Sequence, residues 1–237
     1  MASRLASKLL KKFYGSQTHP YAVFERHVQA CLAERPGTLL DIGCGRDAPV
    51  LRRFRGKAKR LVGVEQVGYR VEDPHLTLLQ GTASSIPLPD ESVDVVMARS
   101  VMEHVVDPDA AFREIHRVLK RGGVFVFLTA NLWDYASIVA MIVPNRFHAQ
   151  IVARTEGRLE EDVFPTVYKC NSKGAITRHA TQSGLTVTQF GYLSQYPNYF
   201  LFNGVLFLLA TGYEKLIANV RCLAFLRGWI LATVSKI

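Results

Sequence analysis

Apolar positions recur along the chain with two different periods. Near the start, Leu5, Leu9 and Phe13 lie at helical spacing with Lys8, Lys11 and Lys12 between them, which predicts a short basic amphipathic helix within residues 1–18. From Tyr21 to Glu34, Phe24, Val28, Cys31 and Leu32 share one helical face, and Pro36-Gly37 ends it. The pattern then changes. Short apolar runs at Thr38–Ile42, Arg60–Glu65 and Leu76–Gln80 predict buried strands, with a helix over Asp47–Phe54 after the first and only a short loop over 66–75. Val93–Ala98 and Val124–Thr129 predict two further strands. The helix between them has Asp107 as N-cap, Pro108 at its first position and Gly122 just past its end. A helix near Ser172–Ser183 and a strand over Leu185–Tyr192 follow. Strands separated by crossover segments imply an α/β fold with a doubly wound, mostly parallel sheet.

The expected organisation is N-terminal helices over 1–35, a domain over 36–195 with an insertion or lid at 132–170, and an apolar, basic helical extension over 196–237. With 237 residues and 49% hydrophobic content the chain is long and apolar enough for one sizeable core, which excludes a disordered or fibrous protein. Its four cysteines, Cys31, Cys44, Cys170 and Cys222, show neither paired nor metal-ligand spacing, so a reducing, cytoplasmic setting is the default.

The net charge of +9 sits partly at the two ends. Arg4, Lys8, Lys11 and Lys12 precede the first acid, Glu25, while Lys215, Arg221, Arg227 and Lys236 punctuate an apolar stretch holding one acid, Glu214. That distribution favours a membrane surface over nucleic acid, and no stacking motif of an RNA-binding module accompanies it. Phe200–Leu209 is too short a run for the ~20 residues of a spanning helix, so the expectation is a protein on a membrane face. A helix carrying Lys215, Arg221 and Arg227 at two-turn spacing would hold its cations along one side, toward lipid headgroups. The alternatives are that both ends pack on the domain, and, for the first residues, a transit peptide.

The chemistry concentrates after the first strand. Gly43-Cys44-Gly45-Arg46-Asp47-Ala48 fits the G-x-G-x-x-G/A fingerprint of dinucleotide binding, with Glu65 at the distance of a ribose-binding acid. Asp41 discriminates. A carboxylate there would repel a pyrophosphate, yet it suits a ligand bearing an ammonium and a sulfonium. At this point the sequence resembles the class I S-adenosylmethionine-dependent methyltransferases. The resemblance runs from Thr38 to Asn131 through LLDIGCG, the Glu65 strand end, QGTASSIPLPDESVDVVMA, SVMEHVVDPDAAFREIHRVLKRGG and VFVFLTAN.

The resemblance implies a Rossmann-like fold and S-adenosyl-L-methionine as cofactor. Gly43 and Gly45 would let the backbone approach the methionine part, Asp41 would hold its amino group, and Glu65 would take both ribose hydroxyls. Thr82 and Ala83 stand where the family commonly has an acid and a small residue at the adenine edge. Arg99 and Ser100, after the fourth strand, complete the cofactor set. His104 is the candidate base or acceptor-orienting residue, the alternative being a hydrogen bond that only pins its loop. Trp133, His148 and Tyr168 in the insertion are the candidate acceptor contacts. Related quinone-pathway O-methyltransferases place a Glu-x-x-Glu-His set where this chain has Ser100, Glu103 and His104, so no metal is expected. The implied function is methyl transfer to an oxygen of a small or lipid-linked acceptor. A non-catalytic, membrane-associated S-adenosylmethionine-binding module is the alternative, and an NAD-dependent oxidoreductase is opposed by Asp41.

Overall fold

Leu39, Leu40 and Ile42 are buried together with Asp41, which is why the first strand shows no alternation of apolar and polar faces. A computed structural model describes residues 2–15, 19–142 and 164–237. Its strands are β1 (Thr38–Ile42), β2 (Arg60–Glu65), β3 (Thr77–Gln80), β4 (Val93–Arg99), β5 (Leu119–Ala130), β6 (Leu185–Leu193) and β7 (Trp229–Lys236). They form one seven-stranded sheet in the order β3-β2-β1-β4-β5-β7-β6. Pairings from β3 across to β5 are parallel, with Ile42 level with Val64 on one side and Ala98 on the other. The winding direction reverses between β1 and β4, and the carboxyl ends of these strands border the crevice where such sheets bind ligands. Among the described residues the helices are α1 (Arg4–Tyr14), α2 (Pro20–Glu34), α3 (Pro108–Val118), α4 (Tyr135–Ile142), α5 (Lys173–Gln182) and α6 (Gly204–Asn219).

Three expectations are corrected. The helix over Asp47–Phe54 is only a 3-10 turn, Leu51–Phe54. Ala48 sits at φ +43 just before Pro49, whose ring disfavours helical geometry in the preceding residue. Secondly, α3 is capped by Asp107, whose Oδ1 accepts the Ala110 N–H at 3.0 Å, but it ends at Val118 and Leu119 opens β5 directly. Val93 pairs with Leu119 and Val95 with Val124, so β5 carries a bulge here. Gly122, at φ +75, turns within that bulge instead of ending the helix.

The third correction concerns the C-terminus. The helical extension expected over 196–237 stops at Asn219, and Trp229–Lys236 is strand β7, lying between β5 and β6 with Ile230, Leu231, Ala232 and Val234 buried. Lys236 is drawn inward as well, donating to the carbonyls of His116 at 3.0 Å and Leu119 at 2.8 Å.

The chain forms two compact units. The sheet unit comprises Tyr21–Thr129, Thr166–Gly191 and Ile230–Ile237; the helical unit comprises Met1–Pro20, Ala130–Pro165 and Tyr192–Trp229. In the helical unit α1, capped by Ser3, packs on α6, with Ala6, Tyr14 and Phe207 at the centre. Gly204 leaves no room for a side chain, because a Cβ there would stand 2.6 Å from Leu5. The buried face of α6 runs Phe207, Thr211, Glu214, Ile217, at helical spacing. The expected row of cations does not form. Lys215 donates to the carbonyl of Phe13 at 3.1 Å, Arg221 lies beyond the helix end, and Arg227 caps the last carbonyls of α6 at Ile217 and Ala218. No helix among the described residues is long and apolar enough to cross a membrane.

Candidate cofactor site

The ends of β1, β2 and β4 bring together Asp41, Gly43, Gly45, Glu65, Arg99 and Ser100. The loop after β1 turns back on β2. Gly43 N–H donates to the carbonyl of Val64 at 2.8 Å, and Gly45 N–H donates to Glu65 Oε2 at 2.8 Å. Both glycines have positive φ, +67 and +76, and a Cβ on Gly43 would meet Val101 Cγ2 at 2.5 Å. Glycine is therefore required at Gly43 on two counts and at Gly45 by backbone conformation.

Glu65 is buried at the end of β2. Its second oxygen accepts the N–H of Gln66 at 2.8 Å, so both oxygens are held by backbone donors while lone pairs remain for a diol. Asp41 is 3% exposed, and its Oδ2 is buried with no hydrogen bond among the described residues. Burial pushes its carboxyl up to about 8; Arg99 pulls it down and Glu65 adds to the rise. A buried carboxyl group with an empty acceptor is unfavourable alone, and a ligand ammonium is its natural complement. The orphaned Asp41 oxygen, the two positive-φ glycines and the paired Glu65 carboxylate fit an aminoacyl sulfonium nucleoside.

The structure also shows partners that no periodicity marks. Arg99 donates to Glu25 Oε1 at 3.3 Å and lies over the ring of Tyr21 at 4.3 Å, while Tyr21 and Ser100 hydroxyls are 3.4 Å apart. Helix α2 thus steadies the end of β4, where Ser100 holds an uncommon positive φ of +57. Tyr69, in the loop expected over 66–75, donates to the carbonyls of Gly63 at 3.0 Å and Leu79 at 2.9 Å. It also approaches the Cys44 thiol, which burial pushes up to about 12, far from a nucleophile's range. Thr82 and Ala83 follow β3 in a tight turn closed by reciprocal backbone bonds between Thr82 and Ser85.

His104 ends the 3-10 turn Met102–His104 after β4 and is half-buried. Its neighbour Glu103 points the other way in role: the carboxylate accepts the Thr129 hydroxyl at 2.7 Å, and Asn171 donates to that same hydroxyl at 2.9 Å. The Glu103 carbonyl accepts the N–H groups of Val167 and Tyr168, which sets Tyr168 beside the His104 loop. Trp133 belongs to the helical unit and is half-exposed. His148 lies outside the described residues.

Comparison with known proteins agrees with this geometry. Residues 40–127 match the methyltransferase domain family. An uncharacterised methyltransferase of Mycobacteroides abscessus is 30% identical over 145 residues, covering 56% of this chain and 55% of that protein. The uncharacterised methyltransferase YcgJ of Bacillus subtilis is 33% identical over 108 residues, 41% of this chain and 42% of that one. The solved structure of YcgJ shares the fold at a TM-score of 0.55 and 17% identity, covering 89% of this chain and 98% of that chain. The chain spans about half or less of the length of most curated relatives it matches. The fold is Rossmann-like, a mostly parallel seven-stranded sheet flanked by helices. Residues 40–127, the stretch that carries the crevice, are similar to the methyltransferase domain family.

Proposed function

We propose that the protein transfers the methyl group of S-adenosylmethionine to an oxygen of a small or lipid-linked acceptor. The observation that carries the cofactor half is the orphaned, buried carboxylate of Asp41 beside Gly43, Gly45 and Glu65. In this reading Asp41 receives the cofactor's ammonium, Glu65 its ribose diol, the Thr82–Ala83 turn its adenine, and Arg99 and Ser100 border the same crevice. The bound cofactor supplies an electrophilic methyl group, so the protein needs no nucleophile of its own. Its residues position the acceptor. His104 orients the acceptor oxygen or takes its proton, with Trp133, His148 and Tyr168 as further contacts in the 132–170 insertion.

An apolar acceptor is supported by the relatives' names, among them the sterol 24-C-methyltransferase of Yarrowia lipolytica and the ubiquinone/menaquinone biosynthesis C-methyltransferase of Caulobacter. It is supported also by the outer face of α6, where Val205, Leu206, Leu209 and Leu216 are exposed, on the unit whose α1 exposes Arg4, Lys8, Lys11 and Lys12. These features suit a protein on an anionic membrane face. The test is transfer of labelled methyl from S-adenosylmethionine into small-molecule and lipid extracts. Replacing His104, Trp133 or Tyr168 should lower transfer roughly 10- to 1,000-fold while leaving S-adenosylhomocysteine affinity unchanged. Equal loss of both would assign those residues to structure, and absence of any labelled product would favour a non-catalytic binding module.

A further inference from the structure

The helical unit buries a cluster of polar groups that lack partners. Thr211 and Glu214, on the inner face of α6, are 3% and 1% exposed, and Asp134, just before α4, is 3% exposed. Neither oxygen of Glu214, nor Asp134 Oδ1, nor the hydroxyl of Tyr135 makes a hydrogen bond among the described residues. The hydroxyls of Tyr14 and Thr211 face each other without a bond of ordinary geometry. Asp134 Oδ2 accepts the Ala136 N–H at 3.1 Å with Gln195 Nε2 at 3.5 Å, and the carboxylate also takes the Tyr135 and Ser137 N–H groups at the start of α4. Burial and the neighbouring Asp134 push the Glu214 carboxyl up to about 8. Acids held this way, with acceptors empty, are complementary to a group that brings positive charge or N–H donors.

The walls say which kind. The ring of Tyr135 stacks on Phe200 at 6.1 Å and meets the edge of Tyr213 at 5.8 Å; Tyr14 packs against Phe207 at 6.3 Å and Tyr196 at 6.1 Å. Tyr14 already takes a cation on its face, with Lys215 Nζ 4.6 Å from the ring centroid. Aromatic faces beside carboxylates attract an organic ammonium, whereas they offer a metal ion no lone pairs to fill its coordination shell. A cavity of about 260 Å³ in this unit adjoins the cluster; Tyr14, His19, Gln195 and Tyr196 line it, together with Lys11. Tyr14 and Gln195 belong to both the cavity and the cluster.

We infer that the acid and tyrosine cluster around Asp134 and Glu214 is a binding site for an organic ammonium group within the helical unit. This inference is independent of the methyltransferase reading. The experiment titrates the full chain with choline and with 3,3-dimethyl-1-butanol, its uncharged isostere, and separately with S-adenosylhomocysteine. Choline should bind at least roughly tenfold tighter than the isostere, and Glu214→Gln and Asp134→Asn should each weaken choline roughly ten- to hundredfold without changing S-adenosylhomocysteine affinity. Equal binding of choline and the isostere, no saturable choline binding, or unaltered choline affinity in folded Glu214→Gln would overturn the subsite. Choline binding without S-adenosylhomocysteine binding would instead overturn the methyltransferase reading and leave the subsite standing.

Discussion

The carboxylate of Glu65 accepts the backbone N–H of Gly45 at 2.8 Å, and that bond ties the loop after β1 to the end of β2. The loop's two glycines are not equivalent. Gly45→Ala meets nothing closer than Pro49 Cδ at 3.9 Å, so it costs only the left-handed backbone strain of about 1–2 kcal/mol. Gly43→Ala adds the clash with Val101, for about 1–3 kcal/mol more. Urea denaturation should rank Gly43→Ala below Gly45→Ala, with Val101→Ala restoring part of the difference. Equal stabilities would show that the loop relaxes and that the Val101 contact is unimportant.

Buried acids give stability a pH dependence of definite sign. Glu214 goes from an ordinary 4.5 to about 8 in the folded chain, Asp134 from 3.8 to about 6 and Asp41 from 3.8 to about 8. A raised folded value means the folded state holds a proton that the unfolded state has released. The stabilisation is full below the unfolded value and is lost as pH rises through the folded one. Relative to the parent, Glu214→Gln should therefore gain on the order of 5 kcal/mol between pH 4.5 and 9, read from denaturant midpoints. A difference that stays constant with pH would mean Glu214 is solvated and ionised throughout.

The membrane reading has its own test in flotation with anionic liposomes. Full-length protein should float at low salt and lose much of that at high salt, since exposed charge attraction is screened. Leu209→Glu, on the exposed face of α6, should abolish flotation without unfolding the chain, because that side chain is 68% exposed. Protein that stays in the soluble fraction at every ionic strength would remove the membrane face from the account.

How much of this is legible in the sequence depends on how local the cause is. Strand β1 and its glycine loop are readable because an apolar run, Asp41, and two glycines needing positive φ stand within a few residues of each other. The start of β5 is not. Lys120-Arg121-Gly122-Gly123 looks like a helix terminus, and only the pairing of Leu119 with Val93 and of Val124 with Val95 makes it part of a strand. Strand β7 is a similar case: its apolar run is visible, but it becomes a strand because β5 and β6, far back in the chain, leave a place between them. Among site residues, Asp41, Gly43, Gly45 and Glu65 follow from motif spacing. The support from Tyr21, Glu25 and Tyr69, and the joining of Asp134 to Glu214, arise from contacts between distant segments and leave no local pattern.

Calorimetric titration of the full chain, of Asp41→Ala and of Glu65→Ala reads whether the crevice at β1, β2 and β4 holds S-adenosylmethionine through these two carboxylates. The parent should bind S-adenosylmethionine saturably and NADH not at all, and each variant should lose roughly tenfold or more in affinity, since each removes charge-assisted hydrogen bonds. Variants that bind like the parent, or a parent that binds NADH and not S-adenosylmethionine, would contradict this assignment of the crevice.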